Sequence, residues 1–200
     1  YGESISADPD YDKRIGESQG LADLSFNLLS GDSYVLNSNI DRLWVKYSTG
    51  RFVATAGRQR INWGQTFVWN TNDIFNAYSY FDFDYEERPG TDAVRMEYYT
   101  GINSSIDVAV SLPAQTMDPG GREINTLSAV LMYKTNRWDY DFQFLMGYSR
   151  ENWVAGAGWA GNLGSASLKG EMTYFSPVEE TEFDQKAFVG TVSIDHSIKN

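Results

Sequence analysis

Two hundred residues, 42% of them hydrophobic and 15% aromatic, suffice for a substantial core and exclude a disordered chain. A formal net charge of -11 leaves no basic stripe to neutralise phosphates, which excludes a nucleic-acid partner. With no cysteine there is no disulfide framework, thiolate metal site or thiol nucleophile, and a single histidine, His196, removes most zinc geometries and most Ser-His-Asp hydrolases.

No apolar run approaches the roughly 18 residues that a membrane helix needs. No secretory signal is present and the sequence starts at Tyr1, so a processed chain or an excerpt of a longer one is expected. The opening "DPDYDKRIGESQG" places Asp8, Asp10 and Asp12 at calcium-loop spacing. Lys13 stands where the turn glycine belongs and Gln19 where the bidentate glutamate belongs, so a solvated loop is the expectation.

From there onward the chain alternates with period two and lacks any sustained helical periodicity. About ten strands are expected, near 20–30, 40–48, 51–60, 92–100, 105–112, 125–135, 138–149, 153–161, 165–175 and 187–195. "STG" (48–50), "TGINSS" (100–105), "TNR" (135–137) and "GNLG" (161–164) read as short turns. The intervening connections "SGDSYVLNSN", 61–91, "PAQTMDPGGRE" and "SPVEETEFDQK" are longer and more charged, with "RENW" a short exception. Short connections at one end and long ones at the other describe a transmembrane barrel, and an even count would leave both ends of the chain on the short-turn side.

Each strand separates an apolar parity from a polar or small one. In "WDYDFQFLMGY" Trp138, Tyr140, Phe142, Phe144, Met146 and Tyr148 oppose Asp139, Asp141, Gln143, Leu145 and Gly147. "SIDVAVSL", "SASLKGEMTYF" and "DAVRMEYY" divide in the same way. A soluble sandwich also shows such alternation. What favours a barrel is the recurrence of Tyr47, Tyr98, Tyr133, Trp138, Tyr148, Trp153, Trp159 and Tyr174 near strand ends on the apolar parity, as in the aromatic girdles of a membrane barrel. A two-residue turn at Thr49-Gly50 would set Arg58 opposite Asp41 on the apolar parity, a position it can hold only outside the hydrocarbon zone or after a register shift.

The segments "DRLWVKYSTGRFVATAGRQRINWGQ", "WNTNDIFN" and "DYEERPGTDAVRMEYY" resemble porin-like outer-membrane β-barrel proteins of Gram-negative bacteria, best over residues 41–99. The resemblance implies an all-β, up-and-down antiparallel transmembrane β-barrel, with the 61–91 loop folded into the lumen of a single barrel domain or barrel portion spanning 1–200. It also implies Arg58, Arg60, Asp73, Asp82, Asp84, Glu86, Glu87 and Arg88 as pore-constriction or loop-anchoring residues, where opposed charges select solutes by charge and size or Arg–carboxylate pairs hold a plug. Arg42, Lys46, Arg95, Glu97, Asp139, Asp141, Lys169 and Glu171 would line the lumen. The chain ends in "DHSIKN" rather than in the aromatic residue usual for such barrels. Ten closed strands would nearly fill their own interior, so a larger barrel of roughly 14 to 18 strands is expected, with a ten-strand barrel as the alternative.

The expected function is that of a non-enzymatic channel in the bacterial outer membrane, passing small hydrophilic solutes by diffusion. It would touch membrane lipid, use no cofactor or metal, and offer a surface for a homo-oligomer or for envelope protein partners. The competing readings are a secreted or cell-surface β-sandwich or jelly roll binding carbohydrate, an outer-membrane enzyme, and a barrel serving as a structural or docking component of an envelope complex. Paired carboxylates at Glu86 and Glu87, or at Glu179 and Glu180, could in principle serve a glycosidase, but neighbours on a strand point to opposite faces. "DPGGRE" (118–123) reads as a turn, and His196 as a surface residue.

Overall fold

The structure, a computed structural model, describes residues 21, 24–31, 34–66, 69–75, 90–112, 115–117, 123–125, 127–179 and 185–196. Within them every regular element is a β-strand and every pairing is antiparallel. The chain runs through β1 (Ser25–Gly31), β2 (Tyr34–Asn39), β3 (Leu43–Thr49), β4 (Phe52–Gln59), β5 (Thr91–Tyr99), β6 (Ser104–Ser111), β7 (Gln115–Met117), β8 (Glu123–Asn125), β9 (Ser128–Arg137), β10 (Tyr140–Ser149), β11 (Asn152–Leu163), β12 (Ala166–Pro177) and β13 (Ala187–His196).

Nine of these form one sheet in the order β13-β12-β11-β10-β9-β6-β5-β4-β3. The sheet is open, and β3 and β13 are its edges. Two segments expected to be connections carry strands of their own. "SGDSYVLNSN" contributes β2, which pairs with β1 in a separate hairpin, and "PAQTMDPGGRE" holds β7, which pairs with β8. The first expected strand therefore lies outside the main sheet. Because nine strands is an odd number, β3 starts at the long-loop end and β13 finishes at the short-turn end, contrary to the expectation from an even count.

The short turns differ in position from their sequence assignments. Thr49 pairs with Phe52, so the first turn is Gly50-Arg51 and Leu43, not Asp41, lies opposite Arg58. A two-residue shift preserves parity, so every side chain keeps its expected face. Arg137 pairs with Tyr140 and Ser149 with Asn152, so "TNR" belongs to β9 and the turns are Trp138-Asp139 and Arg150-Glu151. All four turn residues have positive φ, between 47° and 65°. This left-handed conformation at both central positions matches the twist of a hairpin but is seldom adopted by such side chains. Trp138, expected on the apolar face, projects from a turn, and Asp139, expected to line the lumen, is exposed beside it.

The faces are unequal. The outer face carries Met96, Tyr98, Leu131, Tyr133, Phe144, Met146, Trp153, Met172, Tyr174, Phe188, Val192 and Ile194, all exposed. The opposite face carries the buried residues Ala93, Asp107, Ala109, Val130, Met132, Gln143, Leu145, Val154, Glu171 and Thr173. What buries them is the chain after β4, whose Ile61, Trp63, Ile74 and Phe75 complete the one hydrophobic cluster among the described residues. That face is called the loop face below.

Gly57 has φ near +120°, and a Cβ there would run into the backbone of Leu43 and Trp44. Gly57→Ala is expected to destabilise the protein by about 1–3 kcal/mol, read as a lowered urea midpoint. Gly190→Ala, where the nearest atom to an added Cβ is 3.6 Å away, should stay within about 0.5 kcal/mol of wild type.

Candidate functional site

Residues 61–66 and 69–75 follow β4 and lie against the loop face, hydrogen-bonded to four strands. The central anchor is Glu171 on β12, only 1% exposed. One carboxylate oxygen accepts from the backbone N–H groups of Gln65 and Thr66, the latter at 2.8 Å, and the other accepts from the N–H of Asn72 at 3.0 Å. An ionised acceptor strengthens such bonds roughly twofold over neutral ones. Beside it Asn72 is fully buried: its amide donates to the carbonyl of Ala157 at 3.1 Å and its oxygen accepts from the Thr173 hydroxyl at 2.8 Å.

Two glycines of β11 permit this approach. A Cβ at Gly156 would come within 2.7 Å of Asn72 Oδ1, and one at Gly158 within 2.9 Å of the Gln143 side chain. Glycine is required where the loop presses on the wall, because any side chain would displace it.

The second anchor is Trp63. Its indole N–H donates to Asp107 at 3.0 Å, its carbonyl accepts from the Gln143 amide at 2.8 Å, and its ring meets Phe75 edge to face at a centroid distance of 5.1 Å. Asp107, itself 1% exposed, also receives Arg95 through two nitrogens, the shorter contact being 2.6 Å, and Arg95 reaches Glu97 at 3.0 Å. A buried carboxylate is thus neutralised by a guanidinium and hydrogen-bonded to an indole, the arrangement that makes its desolvation tolerable.

At the base of the loop Arg58 forms a two-nitrogen pair with Asp92, its partner on β5, both contacts 3.0 Å. The backbone N–H of Leu21 donates to the same carboxylate at 2.7 Å. Arg58 is 6% exposed and lies on the apolar parity, as expected, at the rim where the chain leaves the sheet. Arg60 is exposed and Asp73 is buried within the loop. Asp82, Asp84, Glu86, Glu87 and Arg88 lie outside the described residues, as do the calcium-like aspartates 8, 10 and 12 and most of "DPGGRE".

Of the expected lumen residues, Arg95, Glu97, Asp141, Lys169 and Glu171 fall on the loop face by register. Lys46 shares that parity on the exposed edge strand β3, and Arg42 precedes that strand, pairing with Asp41 at 3.2 Å. Sequence reasoning missed Trp63, Asn72, Asp92, Asp107, Gln143 and Thr173. Asp107 and Gln143 were visible as polar positions on the non-apolar parity, and Trp63 and Asn72 sat inside the quoted loop motifs. Nothing in the sequence alone showed that they meet.

Glu171→Ala should leave three loop N–H groups without acceptors, at about 1–3 kcal/mol for each buried donor. The expected outcome is cleavage within 61–75 by a protease that spares the wild type, whereas Glu179→Ala, on the exposed side of the next connection, leaves the digestion pattern unchanged. Comparison with family models, with curated proteins and with solved structures found no match to this chain.

Proposed function

We propose that the chain forms the wall and inward loop of a porin-like channel of the bacterial outer membrane, through which small hydrophilic solutes diffuse. The observation that carries this reading is the distribution of groups over the sheet: its uncovered face is apolar, while the buried charged and amide groups lie on the covered face, among the residues of its core. In a soluble sandwich the apolar face is the one that a second sheet covers. Here Phe144, Met146, Phe188, Val192 and Ile194 are between 50% and 70% exposed, while two carboxylates, a guanidinium and several amides lie under the loop. Lipid as the solvent of the outer face accounts for both.

Aromatic residues support the same reading. Tyr148 and Trp153, in edge-to-face contact at 5.9 Å, stand with Tyr174 toward the long-loop end of the outer face. Tyr47, Phe52, Tyr98, Tyr133, Tyr140 and Trp159 stand toward the other end. Two such belts suit two membrane interfaces.

Strand direction limits how the sheet could close. Nine consecutive antiparallel strands leave the edge strands β3 and β13 running in the same direction. Joining them directly would create a parallel pair, and adding the β1–β2 hairpin as two further meander strands would not change the parity. An all-antiparallel barrel of even strand number therefore requires an odd number of additional strands between these edges, a condition that ten strands and the larger even numbers both meet.

Phe144→Arg tests the orientation of the outer face. If that face meets lipid, the substitution should impair insertion into vesicles, at about 2–4 kcal/mol near the bilayer midplane; on a water-exposed face it should be nearly neutral, within about 0.5 kcal/mol. Wild-type protein should also give discrete conductance steps in planar bilayers and a gel mobility that shifts on boiling. Aqueous partitioning without detergent, combined with a neutral Phe144→Arg, would sink the channel reading.

A further inference from the structure

Between loop residues 62–65 and strands β9 and β10 the loop face forms a half-open cavity of about 210 Å³, lined among others by Asn62, Trp63, Gln65, Lys134, Asp141 and Gln143. It lies on the middle strand of the nine and that strand's neighbour, remote from both open edges. Its volume equals that of about seven liquid waters. It accommodates a molecule of a few carbon atoms.

The lining has an unusual chemistry. Lys134 is half-buried, yet its ammonium forms no hydrogen bond or ion pair among the described residues; the neighbouring Asp107 and Glu97 carboxylates are taken by Arg95. Gln65 Oε1 is a buried acceptor with no hydrogen-bond partner among the described residues. Asp141 accepts from the Asn136 amide at 2.8 Å and retains further acceptor positions. Register places Lys134 opposite Gln143 and Asn136 opposite Asp141, so Lys134 and Asp141 are diagonal neighbours on one face, about 7–8 Å apart. A cation and an anion are thus held apart across one small cavity, with an unfilled amide oxygen in its wall.

The geometry points to a binding site for a small zwitterion of the amino-acid type: carboxylate on Lys134, ammonium on Asp141 and Gln65 Oε1, with the Asn62 amide beside them. A simple anion would meet Asp141, and a simple cation would meet Lys134; only a solute carrying both charges satisfies both. This assignment rests on the channel reading in naming the solute that the loop would select, but the site itself requires only the docked loop.

The test is binding of radiolabelled alanine to the purified detergent-solubilised chain, with acetate and ethylammonium as competitors. Alanine is expected to bind, and each half-charged competitor to be at least about tenfold weaker, since each forfeits a charge-assisted contact. Lys134→Met and Asp141→Asn should each weaken alanine by a similar factor, and Arg51→Gln, in a distant turn, should not. Strand content by circular dichroism confirms folding of each variant. Absence of alanine binding, wild-type affinity in both site variants, or acetate competing as well as alanine overturns the assignment. Conductance measured on the same preparation separates the two readings: binding without conductance removes the channel and keeps the site, and conductance without binding does the reverse.

Discussion

A carboxylate taken out of water is costly unless its oxygens are filled, and Glu171 fills its own with three backbone N–H groups of a loop that lies ninety-nine to one hundred and six residues away in the chain. The constraint works in both directions. Without the loop, β12 would present a charged group to the interior of the sheet; without Glu171, the N–H groups of Gln65, Thr66 and Asn72 would be left without an acceptor. The loop and the wall therefore fold as one unit. Ile61, Trp63, Ile74 and Phe75 then cover Ala109, Val130, Met132 and Leu145, each large side chain contributing roughly 1.5–3 kcal/mol through burial.

This dependence explains why a single-layer sheet has any core at all. Its outer face keeps its apolar residues uncovered, so the interior has to be supplied by the chain that connects β4 to β5. The hydrogen bonds that fix the loop come from β6, β10, β11 and β12, and they leave it little freedom to swing. A loop held at Asp107, Gln143, Ala157 and Glu171 is a fixed part of the interior, and any passage it borders has walls set by packing. The cavity beside Lys134 is one product of that arrangement: the loop reaches Gln143 but stops short of Lys134.

Most of the fold was legible because period-two alternation survives on every long strand, and a register error of two residues does not exchange faces. The turns were less legible. Trp138-Asp139 and Arg150-Glu151 adopt the left-handed pair of φ values without the Asn-Gly signature that normally marks it, so the eye is drawn to "TNR" instead. The β1–β2 hairpin was hidden because the short run Tyr34-Val35-Leu36 in "SGDSYVLNSN" is flanked on both sides by polar turn chemistry. At the site, Glu171 and Arg95 were recognisable as polar residues on the inner parity, but their roles were not, since those depend on contacts with the loop across many intervening residues. Leu145 and Ala109, apolar intrusions in otherwise polar parities, were the trace of the loop in the sequence. They are the patch on which Trp63 and its neighbours rest.

Arg58 looked out of place on the apolar parity, and its environment accounts for it. Gln59 pairs with Thr91 and Arg58 with Asp92, so the long excursion starts and ends at adjacent points of the same ladder. Closing a loop of that length costs only slowly increasing entropy, but its two ends still have to be brought together. A two-nitrogen pair between Arg58 and Asp92, with an arginine fork matched to a carboxylate, ties them at the rim, beyond the band of apolar residues. On the proposed channel reading, a charge that lipid would make expensive lower on that face is placed where the strand ends and the loop begins. The first arginine in "GRQR", Arg58, is accordingly tied to the sheet at the loop's base, and the groups that meet the interior are carried by the loop and by the strands facing it.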